Sequence, residues 1–174
     1  MTRRIAAAAG AVLLWLAALA SLVGPAAAGK ALTVYAVATQ AQFTNHADDR
    51  VRGEGSNPFN IDVKKLPIPK SNGKGPQAGD EARFAFKLYS DPGFKHRIGS
   101  ASYSCTFNFG NKALCKADFE LSSGALIASG PANFDSTALT MAVSGGTGEY
   151  LGLRGQVSSA PAGKNAHRLT FVLR

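Results

Sequence analysis

The sequence predicts an all-β protein, an eight-stranded antiparallel β-barrel that closes on itself. Three observations carry this expectation. Apolar and polar residues alternate with a period of two through most of the chain after residue 30. The alternating runs are separated mostly by short turns of Gly, Asn or Ser, as in a meander. Helical periodicity is almost absent from the same region. Eight consecutive antiparallel strands can close, which removes exposed sheet edges.

The first 28 of the 174 residues read differently. Arg3 and Arg4 precede an uncharged stretch from Ile5 to Gly29, densest over Ala11–Val23. It ends in Gly24-Pro25-Ala26-Ala27-Ala28, where small residues occupy the A-x-A positions. This is the pattern of a secretory signal peptide, residues 1–28, cleaved after Ala28 to leave a single domain, 29–174. An uncleaved anchor helix is the competing reading, disfavoured by the alanine content and by Pro25. The expected location is secreted or periplasmic, with no membrane span after cleavage.

Cleavage changes the composition. The whole chain carries 19 Lys+Arg against 11 Asp+Glu, a net charge of +8; loss of Arg3 and Arg4 leaves 17 − 11 = +6. Trp15, the only tryptophan, goes with the signal, while all 10 Phe and 4 Tyr stay. A stacking surface built on Trp is therefore excluded. Nucleic-acid binding is not expected, because Lys64-Lys65 is the only adjacent basic pair after residue 29 and no basic stripe exists.

The strands follow in order. Leu32–Asn45 is rich in β-formers (Thr33, Val34, Tyr35, Val37, Phe43). Glu81–Tyr89 places Phe84, Phe86 and Leu88 on one face, opposite Arg83 and Lys87. Arg97–Phe109 places Tyr103, Cys105, Phe107 and Phe109 opposite a row of Ser and Thr. Lys112–Leu121 opposes Cys115, Ala117, Phe119 and Leu121 to Lys116, Asp118 and Glu120. The last four strands are Ala125–Phe134, Thr137–Ser144, Tyr150–Ser158 and His167–Arg174. Between the first two lies a long connection, 47–80, with half of the prolines and room for one short strand at Phe59–Val63. Connections of this length are lids, interface arms or unstructured insertions.

Cys105 and Cys115 are equidistant from Gly110, so a turn at Phe109-Gly110-Asn111 sets them face to face. In an exported protein the default for such a pair is a disulfide. A reactive thiol is the competing reading, with no base near in sequence. His46, His96 and His167 are scattered, so no metal site is expected. Ser144-Gly145-Gly146-Thr147-Gly148 lacks the Lys and the following helix of a phosphate loop and reads as a tight hairpin turn.

The whole run from Gly145 to Gly155, Gly-Gly-Thr-Gly-Glu-Tyr-Leu-Gly-Leu-Arg-Gly, resembles the signature hairpin of the allene oxide cyclase and dirigent barrel superfamily. Other segments match in the same order: Val34-Tyr35, Gly79-Asp80 leading to Lys87-Leu88-Tyr89, Arg97-Ile98-Gly99 with Cys105, and Gly124–Gly130. The resemblance covers about 32–46 and 79–174. It implies a closed eight-stranded barrel with an apolar cavity, commonly a homotrimer. It does not carry over the cyclase residues. Ala36 and Ala38 stand where the plant cyclases place a Glu and an Asn. Arg154 matches the Arg that borders the dirigent cavity, and Asp80 is the candidate match for a dirigent aspartate.

Parity then names a candidate lumen. With Ala36 and Ala38 inward, so are Val34, Gln40 and Gln42; with Cys105 inward, so are Tyr103, Phe107 and Phe109; with Arg154 inward, so are Tyr150 and Gln156. Arg154 and Tyr103 are the candidate catalytic groups, able to hold a carboxylate or polarise an oxygen. Gln40, Gln42, Phe107, Tyr150 and Gln156 are the candidate ligand contacts. The competing readings are a structural Arg that pairs with Glu149, and Tyr103 as plain core.

The expected partner is a small apolar or aromatic molecule, with no cofactor. The leading functional reading is a secreted barrel that binds such a molecule and orients its coupling or cyclisation. A cofactor-independent cyclase or isomerase, and a non-catalytic envelope or extracellular binding or structural protein, stand beside it.

Overall fold

The computed structural model describes residues 29–46 and 76–174. Among them eight strands follow in sequence: β1 (Lys30–Thr44), β2 (Glu81–Tyr89), β3 (Arg97–Phe107), β4 (Lys112–Leu121), β5 (Gly124–Asn133), β6 (Leu139–Gly146), β7 (Gly155–Gly163) and β8 (Ala166–Leu173). Each pairs antiparallel with the next, and β8 returns to β1, closing the barrel. The expected fold class is met. The expected signal peptide and the possible strand at Phe59–Val63 lie outside the described residues.

Alternation fixes the two faces. Along β4, Ala113, Cys115, Ala117 and Phe119 are buried, whereas Lys116, Asp118 and Glu120 are exposed. Ser102 donates to Asp118 at 2.6 Å and Ser100 to Glu120 at 3.3 Å across β3 and β4, so the outer wall there is a polar ladder.

Side-chain size grades the interior along its axis. Leu88, Phe119, Leu126, Phe171 and Leu173 are fully buried and fill the end where β1 begins and β8 finishes. Phe119 meets Tyr103 and Phe171 edge to face, with ring centroids 5.7 and 5.0 Å away. The other half is lined by alanines, Ala36, Ala38 and Ala132, which leave space.

The filled end is capped by the connection from β6 to β7. It is eight residues long and contains one 3-10 turn, Gly148–Tyr150, so the tight hairpin expected there is replaced by a folded flap. The flap lies on the turn between β4 and β5, with Thr147 N donating to Ala125 O at 2.8 Å and Glu149 N to Ser123 O at 2.9 Å. Backbone meets backbone here. A Cβ on Gly124 would overlap the Thr147 carbonyl oxygen, and one on Gly148 the Ser123 carbonyl oxygen; both glycines also have positive φ. That crowding explains the glycine-rich run.

At the opposite end the wall is incomplete. β5 pairs with β6 only over Leu126–Ser129, and Pro131 has no N–H with which to continue the ladder. The 134–138 connection lies across this opening. Phe134 N donates to Asn111 O at 2.8 Å, the Asn111 amide donates to Asp135, and Phe134 stacks on Phe84 at 6.3 Å.

Candidate functional site

The space left by the alanines is a cavity of about 410 Å³, open at the end spanned by residues 134–138. This volume falls within the ~300–1,000 Å³ of small-molecule sites. Its walls are mostly apolar: Ala36, Ala38, Phe84, Phe86, Phe134, Leu139 and Leu169, with the Cys105–Cys115 bridge among them. The two cysteines are direct partners in the β3–β4 register, their Cα atoms 4.0 Å apart, and they form a disulfide.

The cavity's polar groups are few. Tyr103 comes from β3 and is 8% exposed, with its ring edge to face against Phe86 at 5.2 Å. Burial pushes its phenol well above the usual range, so the group is a neutral O–H donor. Among the described residues its hydroxyl has no hydrogen-bond partner, and the residue lines the cavity. Ser159 on β7 and His167 on β8 also line it, and Ser159 Oγ lies 3.1 Å from His167 Nδ1. Asn133, Ser136 and Asn165 stand at the rim. No group of three or more His, Cys, Asp or Glu that could hold a metal is found among the described residues.

Of the residues placed in the lumen from sequence, Tyr103, Ala36, Ala38 and Cys105 line this cavity, and Tyr103 is the one candidate catalytic or ligand-contact residue among them. Phe107 is buried beside it, 4.7 Å from Phe134 ring to ring, and faces a second, more open hollow with Phe43 and Phe84. Gln40 lines neither hollow, and Gln42 lines only the second, beside Phe43. β1 carries a bulge between Ala38 and Gln40, which inserts Thr39 and reverses the parity beyond it. Ala41 and Phe43 pair with the inward Phe84 and Ala82, while Gln40 and Gln42 pair with Ala85 and Arg83 and are exposed.

The parity taken from Arg154 also fails. Arg154 precedes β7, is exposed, and exchanges backbone hydrogen bonds with Arg174 at 3.0 and 2.7 Å. Glu149, the partner considered for it, pairs instead with Lys30 at 3.7 Å. Gln156 is exposed and opposite Ala142, and it is Val157 that points into the core. Tyr150 is buried, but under the flap at the filled end, where Ser123 Oγ donates to its hydroxyl at 3.1 Å. Phe109 lies past the end of β3 and is 71% exposed. Asp80 is fully buried, yet its carboxylate accepts from the backbone of Gln77 at 2.7 Å and His46 at 3.0 Å, tying the return of the chain to the barrel rim.

His167 was weighed from the sequence only as a metal ligand, and Ser159 was not named. A signal existed for His167, which shares parity with Leu169, Phe171 and Leu173.

The sequence matches no protein-family model and no curated protein. Solved structures do match. Among them are a pyocyanin demethylase (18% identity, TM-score 0.61, covering 83% of this chain and 100% of that one) and an exo-specific intermolecular Diels-Alderase (15%, 0.54, 84% and 98%). A third is a pterocarpan synthase dirigent protein (14%, 0.53, 84% and 87%). At these identities the likeness is one of fold alone, a closed β-barrel of the same architecture.

Proposed function

We propose that this barrel, of the fold shared by dirigent proteins and cyclases, binds a small apolar or aromatic molecule in its open half and orients it for cyclisation, isomerisation or coupling. The single observation behind this reading is the half-filled bore. An apolar cavity holds one buried hydroxyl donor with no partner among the described residues, and a polar group placed so rewards a ligand with an acceptor at that point. Confinement of this kind lowers a barrier by fixing reacting atoms in one arrangement, without a cofactor. The similar barrels named for a pyocyanin demethylase, a Diels-Alderase and a pterocarpan synthase support a small-molecule role for such a cavity.

The reading includes export. The N-terminal pattern supports it, the Cys105–Cys115 disulfide is consistent with an oxidising compartment, and among the described residues no helix is long and apolar enough to cross a membrane. The homotrimer implied by the family resemblance is part of the same proposal. A non-catalytic role is the weaker reading, because a barrel kept for its outer face gains nothing from an unfilled bore.

Fluorescence of N-phenylnaphthylamine tests the proposal, with little background from a mature chain that lacks tryptophan. The dye should brighten and shift to the blue with the wild type, should do neither with Ala38→Trp, which fills the bore, and should respond normally with Arg154→Ala. Equal binding by Ala38→Trp would refute the site.

A further inference from the structure

We propose that His167 is the general base of this cavity, held by Ser159, and that with Tyr103 it enolises a bound carbonyl compound with an apolar or aromatic body. The inference rests on the cavity reading above and specifies its substrate class. Ser159 faces inward because it pairs with Leu139 and Leu169, and His167 because it pairs with Ala36. Their 3.1 Å contact uses Nδ1. With Nδ1–H donating to Ser159 Oγ, the lone pair resides on Nε2, which has no partner among the described residues. Imidazole is the commonest general base, and an orienting hydrogen bond on its second nitrogen is the usual means of fixing the tautomer.

Tyr103 supplies the complementary group. It stands on β3, with β1 and β2 between it and β8 around the wall. Its phenol stays protonated and donates, so it stabilises charge on an oxygen and does not compete as a base.

The step balances without a redox partner. Nε2 takes a proton from the carbon beside the carbonyl. The C–H electron pair becomes the carbon–carbon double bond of an enolate, and the carbonyl π pair moves to the oxygen, whose negative charge the Tyr103 O–H stabilises by a hydrogen bond. Once Nε2–H has exchanged with solvent, delivery of the solvent-derived proton to the same carbon gives isotope exchange, and delivery to a conjugated carbon gives isomerisation.

β-Tetralone in deuterium oxide provides the test. Displacement of N-phenylnaphthylamine reads its binding, and proton NMR reads deuterium entry beside the carbonyl. The wild type should bind the ketone and speed exchange about 100-fold or more over buffer, within the range of general acid–base catalysis. His167→Gln and His167→Ala should bind it with that acceleration lost. Ser159→Ala should lose most of it and Ser159→Thr regain it, a pattern that a packing role would not give. Circular dichroism checks that each variant folds. Binding without faster exchange, or exchange unaffected by His167→Gln, overturns the proposal and leaves the binding reading standing. Failure of both the ketone and the dye to bind overturns the two together.

Discussion

Replacing Tyr103 by Phe separates stability from binding. The hydroxyl is buried and has no protein hydrogen bond among the described residues, while the ring packs between Phe86 and Phe119 at 5.2 and 5.7 Å. Phe keeps those ring contacts. A buried polar group left unpaired costs about 1–3 kcal/mol. This one faces a cavity rather than solid protein, so the low end applies and Tyr103→Phe should stabilise the fold by roughly 1 kcal/mol. For a chain of this length that is a rise of about 2–4 °C in Tm by calorimetry. The binding change has the opposite sign. Loss of one neutral hydrogen bond should weaken β-tetralone about 2- to 10-fold and leave naphthalene, which has no acceptor, unchanged. A fall in Tm of more than about 2 °C would mean that the hydroxyl is satisfied in the folded protein. Equal weakening of ketone and hydrocarbon would mean that only shape has changed. Either result refutes the reasoning.

The same residue has a pH signature. Burial raises its phenol above the ordinary 10.0, so folding favours the protonated form. Its contribution is therefore complete below pH 10.0 and is lost as pH rises toward the folded value; wild type should lose stability relative to Tyr103→Phe only in the alkaline limb of a denaturation series. Reduction of Cys105–Cys115 opens a loop of sequence separation 10 and should cost about 2–3 kcal/mol in a urea titration with and without dithiothreitol. An unchanged midpoint would contradict that. Gly124→Ala forces a side chain into positive φ and against the Thr147 carbonyl, and should cost upwards of about 1 kcal/mol and loosen the flap. Hydrogen exchange at the Thr147 and Glu149 amides reads the loosening, and unchanged protection there would count against the packing described.

The strands were legible because the barrel has one apolar face throughout. Period two held in β2, β3 and β4, whose bounds were read to within two residues, and the symmetric placement of Cys105 and Cys115 about Gly110 gave the register of β3 on β4. What parity could not carry was continuity across a defect. One inserted residue, Thr39, turned Gln40 and Gln42 outward, and nothing in Ala-Thr-Gln-Ala announces a bulge. Arg154 was counted as part of a strand that begins only at Gly155, so Tyr150 and Gln156 inherited a phase that does not exist. The family resemblance drew attention to Arg154, whereas the polar groups of the cavity sit at the other end of the bore. His167 and Ser159 were overlooked for a different reason. A histidine near the start of a strand and a serine in Ser158-Ser159 look like surface residues until the register shows what they oppose.

The central claim is that the bore is filled at one end and receives a ligand at the other. Intermolecular NOEs between bound N-phenylnaphthylamine and assigned methyl groups test it most directly. Contacts with Ala36, Ala38, Leu139 and Leu169 are expected, and none with Leu126 or Leu173 at the filled end. Contacts confined to the exposed Ile127 or Val172, or reaching Leu126 and Leu173, would contradict the account.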